Sequence, residues 1–393
     1  MVTVNAAKIL INEYASHSNV SDIYINDANG HILAEDLYAI IDTPPFDSSA
    51  MDGYAIIYND EYYKKNWTVI GEVQAGASVN SALQTNEAFR IFTGAKIPAV
   101  ANTVVVQEKV NRQGNIFTIE KHILEKGSNV RPQGSQLKKG ELILTKNSKL
   151  NAACISLLAN IGISKVKVYS KPKISIIVTG KELIQPGTPL PDGMIYESNS
   201  FALKAALNEL QIQPSTITIT DDIKEDIIEA IQSNLMQDIV ILTGGVSVGD
   251  YDFVAASLEQ CGVKEIFHKV KQKPGKPFYF GIKNKTLIFG LPGNPAAVLT
   301  CFYEYIVPAI ETYTKHIYYK TDNLPLINSY TKKTGLTHFV KAKTDGKTVE
   351  ILNSQESYLL NSFAYANCIV ELPEEEEIFE EGNIVKLKMI AHI

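Results

Sequence analysis

Cysteine is scarce in this chain. The four residues Cys154, Cys261, Cys301 and Cys368 are widely spaced among 393, and no two form a Cys-x-x-Cys pair. That excludes a zinc knuckle and a disulfide framework, and fits a reducing cytoplasm. No apolar run approaches the roughly 20 residues that span a bilayer, and the amino terminus lacks the basic-then-apolar pattern of a secretory signal. Neither membrane insertion nor secretion is expected. Positive charge is not in excess either: 37 Lys and Arg against 43 Asp and Glu leave a net −6. Bulk electrostatics therefore argues against nucleic acid as a partner, although a local basic cleft stays possible. The phosphate-binding pattern Gly-x-x-x-x-Gly-Lys-Ser/Thr is missing, which weakens a generic Mg2+-dependent nucleotide phosphotransferase. There is no internal repeat or low-complexity linker, so the roughly two to four domains that this length allows should pack closely.

What the chain does have is a strand-turn unit used three times. Asp238 to Leu242 runs through Ile239-Val240-Ile241-Leu242, a strand buried on both faces, into Thr243-Gly244-Gly245-Val246-Ser247-Val248-Gly249-Asp250-Tyr251-Asp252. The glycines expose backbone N–H groups to a ligand, and Asp252 opens a predicted helix over 253–258. Lys173 to Val178 repeats the pattern and ends in Thr179-Gly180-Lys181-Glu182. Thr286 to Leu291 leads into Pro292-Gly293-Asn294-Pro295, with Asn294 placed as N-cap and Pro295 as first residue of a helix over 296–306. Helices predicted over 200–210 and 223–235 lie between the first two units. Strands alternating with helices imply a parallel sheet, and parallel sheets gather their binding loops at the strands' carboxyl ends.

The flanking regions read differently. A helix near the start would bury Ala6, Ile9, Leu10 and Tyr14, whereas 67–144 is punctuated by short β-type runs at 68–70, 90–92, 103–106 and 116–119. After Pro308 the β character returns, and Asp345-Gly346 signals a two-residue hairpin between 338–344 and 347–352. Glu374 to Glu377 reads as a solvated turn. The expected fold class is α/β plus all-β: a three-layer α/β domain with a parallel-rich sheet, an inserted small β domain and a carboxy-terminal β-barrel-like domain. The expected boundaries are 1–46 with 141–170 for a discontinuous amino-terminal domain, then 47–140, 171–318 and 319–393.

Two stretches carry candidate chemistry. Asp42 to Ala55 packs Asp42, Asp47, Asp52, two serines and a Pro-Pro into one loop-like segment. Oxygen donors without His or Cys suit Mg2+, which takes one or two carboxylates and leaves its other positions to water and phosphate. Asp52, Glu182 and Asp252 are the catalytic and metal candidates. Lys269-Val270-Lys271-Gln272-Lys273-Pro274-Gly275-Lys276-Pro277 is the basic counterpart. Alternation puts Lys269, Lys271 and Lys273 on one side, and the Pro-Gly-Lys-Pro turn presents Lys276, so that ammonium groups face an oxyanion.

Ser49-Ala50-Met51-Asp52-Gly53-Tyr54-Ala55, Phe92-Thr93-Gly94-Ala95, Gly244-Gly245-Val246-Ser247-Val248-Gly249, Lys273-Pro274-Gly275-Lys276-Pro277 and Gly290-Leu291-Pro292-Gly293-Asn294-Pro295 together resemble the molybdopterin molybdenumtransferases. These are similar to the carboxy-terminal domain of gephyrin, and the likeness runs in order from about residue 5 to the end. The resemblance implies an L-shaped, four-domain homodimer with an α/β domain of the molybdopterin-binding type. It also implies insertion of molybdate into adenylylated molybdopterin with Mg2+ and release of AMP. It assigns Asp52, Glu182 and Asp252 to catalysis and metal. Substrate contacts would come from Thr93, Asp221, Gly244, Gly245, Ser247, Gly249, Lys269, Lys273, Lys276, Pro292, Gly293, Asn294 and Ser362. A molybdopterin adenylyltransferase and molybdoenzyme assembly proteins are the implied partners, besides a second copy. Gln136, Lys181 and Lys341 depart from the family pattern, the last because lysine lacks arginine's bidentate fork for molybdate. A gephyrin-like non-enzymatic scaffold is the alternative, but the sequence shows no added partner-binding region for it.

Overall fold

A computed structural model describes residues 1–77, 82–119, 124–246 and 253–391. The chain forms two compact units, one of residues 22–168 and one of residues 1–21 with 169–393.

In the unit 22–168 a six-stranded sheet runs in the order Thr103–Val106, Gly53–Ile56, Glu87–Ile91, Trp67–Val73, Ile116–Ile119 and Val110–Gln113. The β-type runs expected in this region thus form strands. Trp67, Phe117, Tyr54 and Val105 pack on one side, and Ala55, Phe89, Ile91 and Val104 on the other. Period-two alternation along each strand sends neighbours to opposite cores.

The other unit is built on a second six-stranded sheet: Thr216–Thr220, Ile174–Thr179, Ile239–Thr243, Thr286–Leu291, Pro277–Lys283, Lys264–Lys269. The first four strands are mutually parallel, and Pro277–Lys283 is antiparallel to both its neighbours. Ile239, Ile241, Phe289 and Leu291 face a core with helices Asn199–Glu209 and Pro295–Cys301, whereas Val240, Leu242 and Ile288 face helices Lys224–Asn234 and Val254–Gln260. Two apolar faces on one parallel sheet make the three layers. A third six-stranded sheet follows, with the path Gln272–Lys273, Thr337–Thr344, Cys368–Leu372, Ile384–Met389, Thr321–Pro325 and with Val349–Ile351 paired to Thr337–Thr344.

Several local expectations need correction. The first helix, Val4–Tyr14, buries Val4, Ala7 and Ile11, while Ile9 is 58% exposed. The hairpin loop holds four residues, because Thr344 pairs with Val349. Asp345 Oδ1 accepts from the N–H groups of Lys347 and Thr348, both at 2.9 Å, and this Asx turn lengthens the loop that Gly346 alone would close. The helix after Pro295 stops at Cys301, passes through a π-helical turn, Phe302–Ile306, and resumes as Val307–Thr314. Among the described residues, no helix is long and apolar enough to cross a membrane.

Candidate functional site

The strand Ile174–Thr179 connects outward to Thr216–Thr220, and the next strand, Ile239–Thr243, lies on its opposite side. Such a reversal of direction is where parallel sheets open a crevice beyond their carboxyl ends. Gly180, Asp221, Gly244 and Pro292 follow the four parallel strands directly, and Thr179 pairs with Thr220 while Thr243 pairs with Leu291. The loops therefore emerge at one end. Gly244 and Gly245 have φ of +89° and +60°. A Cβ on Gly244 would lie 2.4 Å from the Thr179 carbonyl oxygen, so glycine is demanded here by close backbone approach as well as by conformation. The Gly244 N–H donates to Leu291 O at 3.3 Å, and a Cβ on Gly293 would sit 3.9 Å from Gly244 Cα. These contacts bring the second and third glycine loops together. The Thr179 and Thr243 hydroxyls are buried with no partner among the described residues.

Asn294 occupies the N-cap position, but its amide does not cap the helix; it donates to Ser357 Oγ at 2.8 Å. The expected single face of lysines is divided between two sheets. Lys269 ends an edge strand of the parallel sheet, whereas Lys273 pairs with His338 in the carboxy-terminal sheet. Lys271 lies 3.6 Å from Glu374 and thereby gives the acidic turn one contact. A pocket of about 520 Å³ opens between these sheets, lined by Lys273, Lys276, Pro292, Gly293, Asn294 and Ser357 among others. A neighbouring pocket of about 410 Å³ shares Lys273 and Ser357 and adds His338 and Tyr330. The larger pocket thus has two lysines among otherwise uncharged lining residues.

The wall formed by 354–359 is held by Lys341. Its buried ammonium donates to the carbonyls of Ser354 (2.8 Å), Leu359 (3.3 Å) and Glu356 (3.4 Å). Burial lowers its pKa, against the pull of Glu356. The lysine that departs from the family pattern thus serves as a clasp, and it does not line either pocket. Ser362 is likewise committed to the fold, with its hydroxyl donating to Ser354 O at 2.7 Å.

His338 is buried, and burial together with the Lys273 and Lys332 ammonium groups pushes its pKa down to about 4. Its folded pKa lies below the usual imidazole range near 6.5, so the stability it contributes is present above about pH 6.5 and is lost as pH falls toward 4. In proton NMR titrations, Lys273→Ala should raise the His338 midpoint. An unmoved midpoint would detach Lys273 from this pocket.

In the unit 22–168, Asp52 Oδ1 accepts from both the Thr93 N–H and the Thr93 hydroxyl, each at 2.8 Å. The Thr93 N–H, then its hydroxyl, holds the carboxyl below the usual range, partial desolvation opposes, and Arg90 assists. Among the described residues, Oδ2 accepts no hydrogen bond. Gly53 is required because a Cβ would lie 2.0 Å from the Val105 carbonyl oxygen across the sheet. The other two aspartates of the loop are structural. Asp42 accepts from Lys139 N and Gln133 Nε2, each at 2.8 Å, and Asp47 from Gln133 N at 2.7 Å. Gln136 also serves the backbone, its N–H donating to Thr43 O at 2.9 Å.

Glu182 and Asp221 lie at the carboxyl end of the parallel sheet outside the larger pocket, and Lys269 stands at the same end on the opposite edge strand. Ser247, Gly249 and Asp252 lie outside the described residues. Among the described residues, no group of three or more His, Cys, Asp or Glu side chains could hold a metal ion. Gln272, Gln355 and Ser357 line the larger pocket but escaped the sequence reading. The last two sit in a segment without motif. Gln272 lay inside the lysine run, where its side-chain alternation pointed inward.

Family-level matches cover nearly the whole chain. Residues 2–162 match the MoeA N-terminal region (domain I and II), 175–312 a probable molybdopterin binding domain, and 323–389 the MoeA C-terminal region (domain IV). A molybdopterin molybdenumtransferase of Staphylococcus epidermidis is 33% identical over 392 residues, covering 97% of this chain and 93% of the relative. One of Haemophilus influenzae is 32% identical over 405 residues, covering 100% of both. The crystal structure of a molybdopterin biosynthesis MoeA protein from Pyrococcus horikoshii superimposes with a TM-score of 0.85 at 30% identity, covering 100% of both chains.

Proposed function

The chain belongs to the molybdopterin molybdenumtransferase family, a transferase family of molybdenum-cofactor biosynthesis, and from that premise we propose that it inserts molybdate into adenylylated molybdopterin with release of AMP. The observation that carries this reading is the lysine-bearing pocket beside the glycine loops at the carboxyl end of the parallel sheet. Lys273 and Lys276 would neutralise the oxyanion, and N–H groups of the glycine loops other than that of Gly244, which is bonded to Leu291 O, would donate to phosphate oxygens. The Thr179 and Thr243 hydroxyls, without a partner among the described residues, favour a polar ligand at the same end.

The carboxylates fit Mg2+ as a partner better than they fit zinc. Asp52 has one oxygen that accepts no hydrogen bond among the described residues, and Mg2+ needs only one or two carboxylates because water and phosphate complete its shell. When bound, Mg2+ would supply positive charge to the pyrophosphate whose P–O–P bond breaks as AMP leaves. Asp52 would contribute a carboxylate oxygen to that ion, while Thr93 keeps Asp52 ionised. A homodimer, a cytoplasmic setting, and exchange of substrate and product with a molybdopterin adenylyltransferase and molybdoenzyme assembly proteins complete the reading.

Titrating molybdate calorimetrically against Lys273→Ala and Lys276→Ala tests the pocket. Each variant should lose about 1–3 kcal/mol of binding, the range of a charged hydrogen bond, with melting nearly unchanged. Wild-type affinity in both variants would remove these lysines from the site.

A further inference from the structure

The turn between Lys273 and Lys276 is held by a buried amide. Gln272 has no exposed surface, and its Nε2 donates to the carbonyls of Pro274 (3.1 Å) and Gly275 (3.0 Å). These two carbonyls belong to the residues that separate the lysines, so one side chain spans the turn that presents both. The Oε1 of Gln272 accepts from the Tyr305 hydroxyl. That assignment is forced: carbonyls can only accept, so the amide nitrogen must face them and the tyrosine must donate.

Tyr305 is 1% exposed and comes from the π turn Phe302–Ile306. A π turn places its side chains out of step with the flanking α-helix, and such turns often sit at functional sites. The ring is fixed on Phe278, with centroids 4.6 Å apart, and edge-on to Phe339 at 6.4 Å. The neighbouring Glu304 binds Lys8 of the first helix at 2.6 Å. The turn itself lies close on the helix end, since a Cβ on Gly275 would be 2.7 Å from Cys301 Sγ and 3.0 Å from Gln272 Nε2. Both donors and the acceptor of Gln272 are therefore used, and all of them bear on the conformation of the lysine turn.

We propose that Gln272, oriented by Tyr305, is a positioning residue that fixes Lys273 and Lys276 for an oxyanion before it binds. This rests on the reading of the pocket as an oxyanion site. A turn ordered in advance spares the ligand the cost of ordering it, so loosening the turn weakens binding without removing any charge.

The test uses the full chain, sodium molybdate as the titrant, and hydrogen exchange at the Val270 amide, which donates to Lys276 O at 3.1 Å. Gln272→Met should raise the molybdate Kd by about tenfold or more and speed Val270 exchange, since both hydrogen bonds to the turn are lost. Tyr305→Phe should do the same by a smaller factor, because the amide keeps its hold on the turn. Gln272→Met combined with Tyr305→Phe leaves no buried hydroxyl unpaired, so its melting should recover toward wild type while the binding defect persists. A purely structural role would restore both together and overturn the proposal. Wild-type affinity and wild-type Val270 exchange in Gln272→Met would overturn it as well. If the unaltered protein takes up no molybdate, the oxyanion reading fails with its half of the proposal. The control of the turn is then decided by exchange alone, with an unchanged Val270 rate rejecting it.

Discussion

Gly244→Ala is expected to destabilise the protein by about 3 kcal/mol or more and to abolish measurable turnover, because two independent penalties meet at this residue. Its φ of +89° is strained for any residue with a Cβ, and that Cβ would lie 2.4 Å from a backbone oxygen, Thr179 O. Backbone cannot swing aside as a side chain can. Relief would have to separate the ends of strands Ile174–Thr179 and Ile239–Thr243, which are bonded in register from Ile174 to Val178. Even a displacement of about 1 Å at a reacting centre costs on the order of a hundredfold in rate. Thermal melting together with turnover checks the expectation. A variant that melts with wild type and turns over normally would show that the glycine loop has room the structure does not display.

The second large effect belongs to Asp52. Asp52→Ala should fold normally and lose about a hundredfold or more in turnover, since it deletes the carboxylate proposed for Mg2+. Asp52→Asn separates charge from position: it keeps an oxygen for the two Thr93 donors but carries no charge, so it should be as inactive as the alanine variant. Thr93→Val removes one of the interactions that depress the Asp52 pKa. Because a depressed carboxyl protonates only at low pH, its release should move the acid limb of the activity profile upward. Near-wild-type AMP release by well-folded Asp52→Ala would exclude the assigned role.

Three of the four parallel strands were legible because they are written as continuous apolar runs that lead into glycine, and burial on both faces is what such runs require; Thr216–Thr220, a partly exposed Thr-Ile alternation at the sheet's edge, was not. The glycines were legible for the same reason that they are needed, close backbone approach. Legibility failed where side chains with several options found partners distant in sequence. Asp42 and Asp47 stood out only as oxygen donors beside Asp52, and nothing in the sequence shows that Gln133 and Lys139 bind them. Lys341 reads as a weakened anion ligand, yet it clasps carbonyls 13 to 18 residues away. The alternation of Lys269, Lys271 and Lys273 holds locally, but a chain crossing from one sheet to another at Val270 and Lys271 leaves no mark in periodicity. Nor does the π turn, since the apolar pattern over 296–306 suits an α-helix equally well.

The most direct measurement supplies the purified full-length protein with adenylylated molybdopterin, molybdate and Mg2+, and quantifies AMP and molybdenum cofactor together. The expected result is equal yields of the two products, dependent on molybdate, and suppressed by Lys276→Ala and Asp52→Ala in proteins that melt normally. Absence of AMP from the well-folded wild type under these conditions, or AMP release indifferent to both substitutions, would contradict the account.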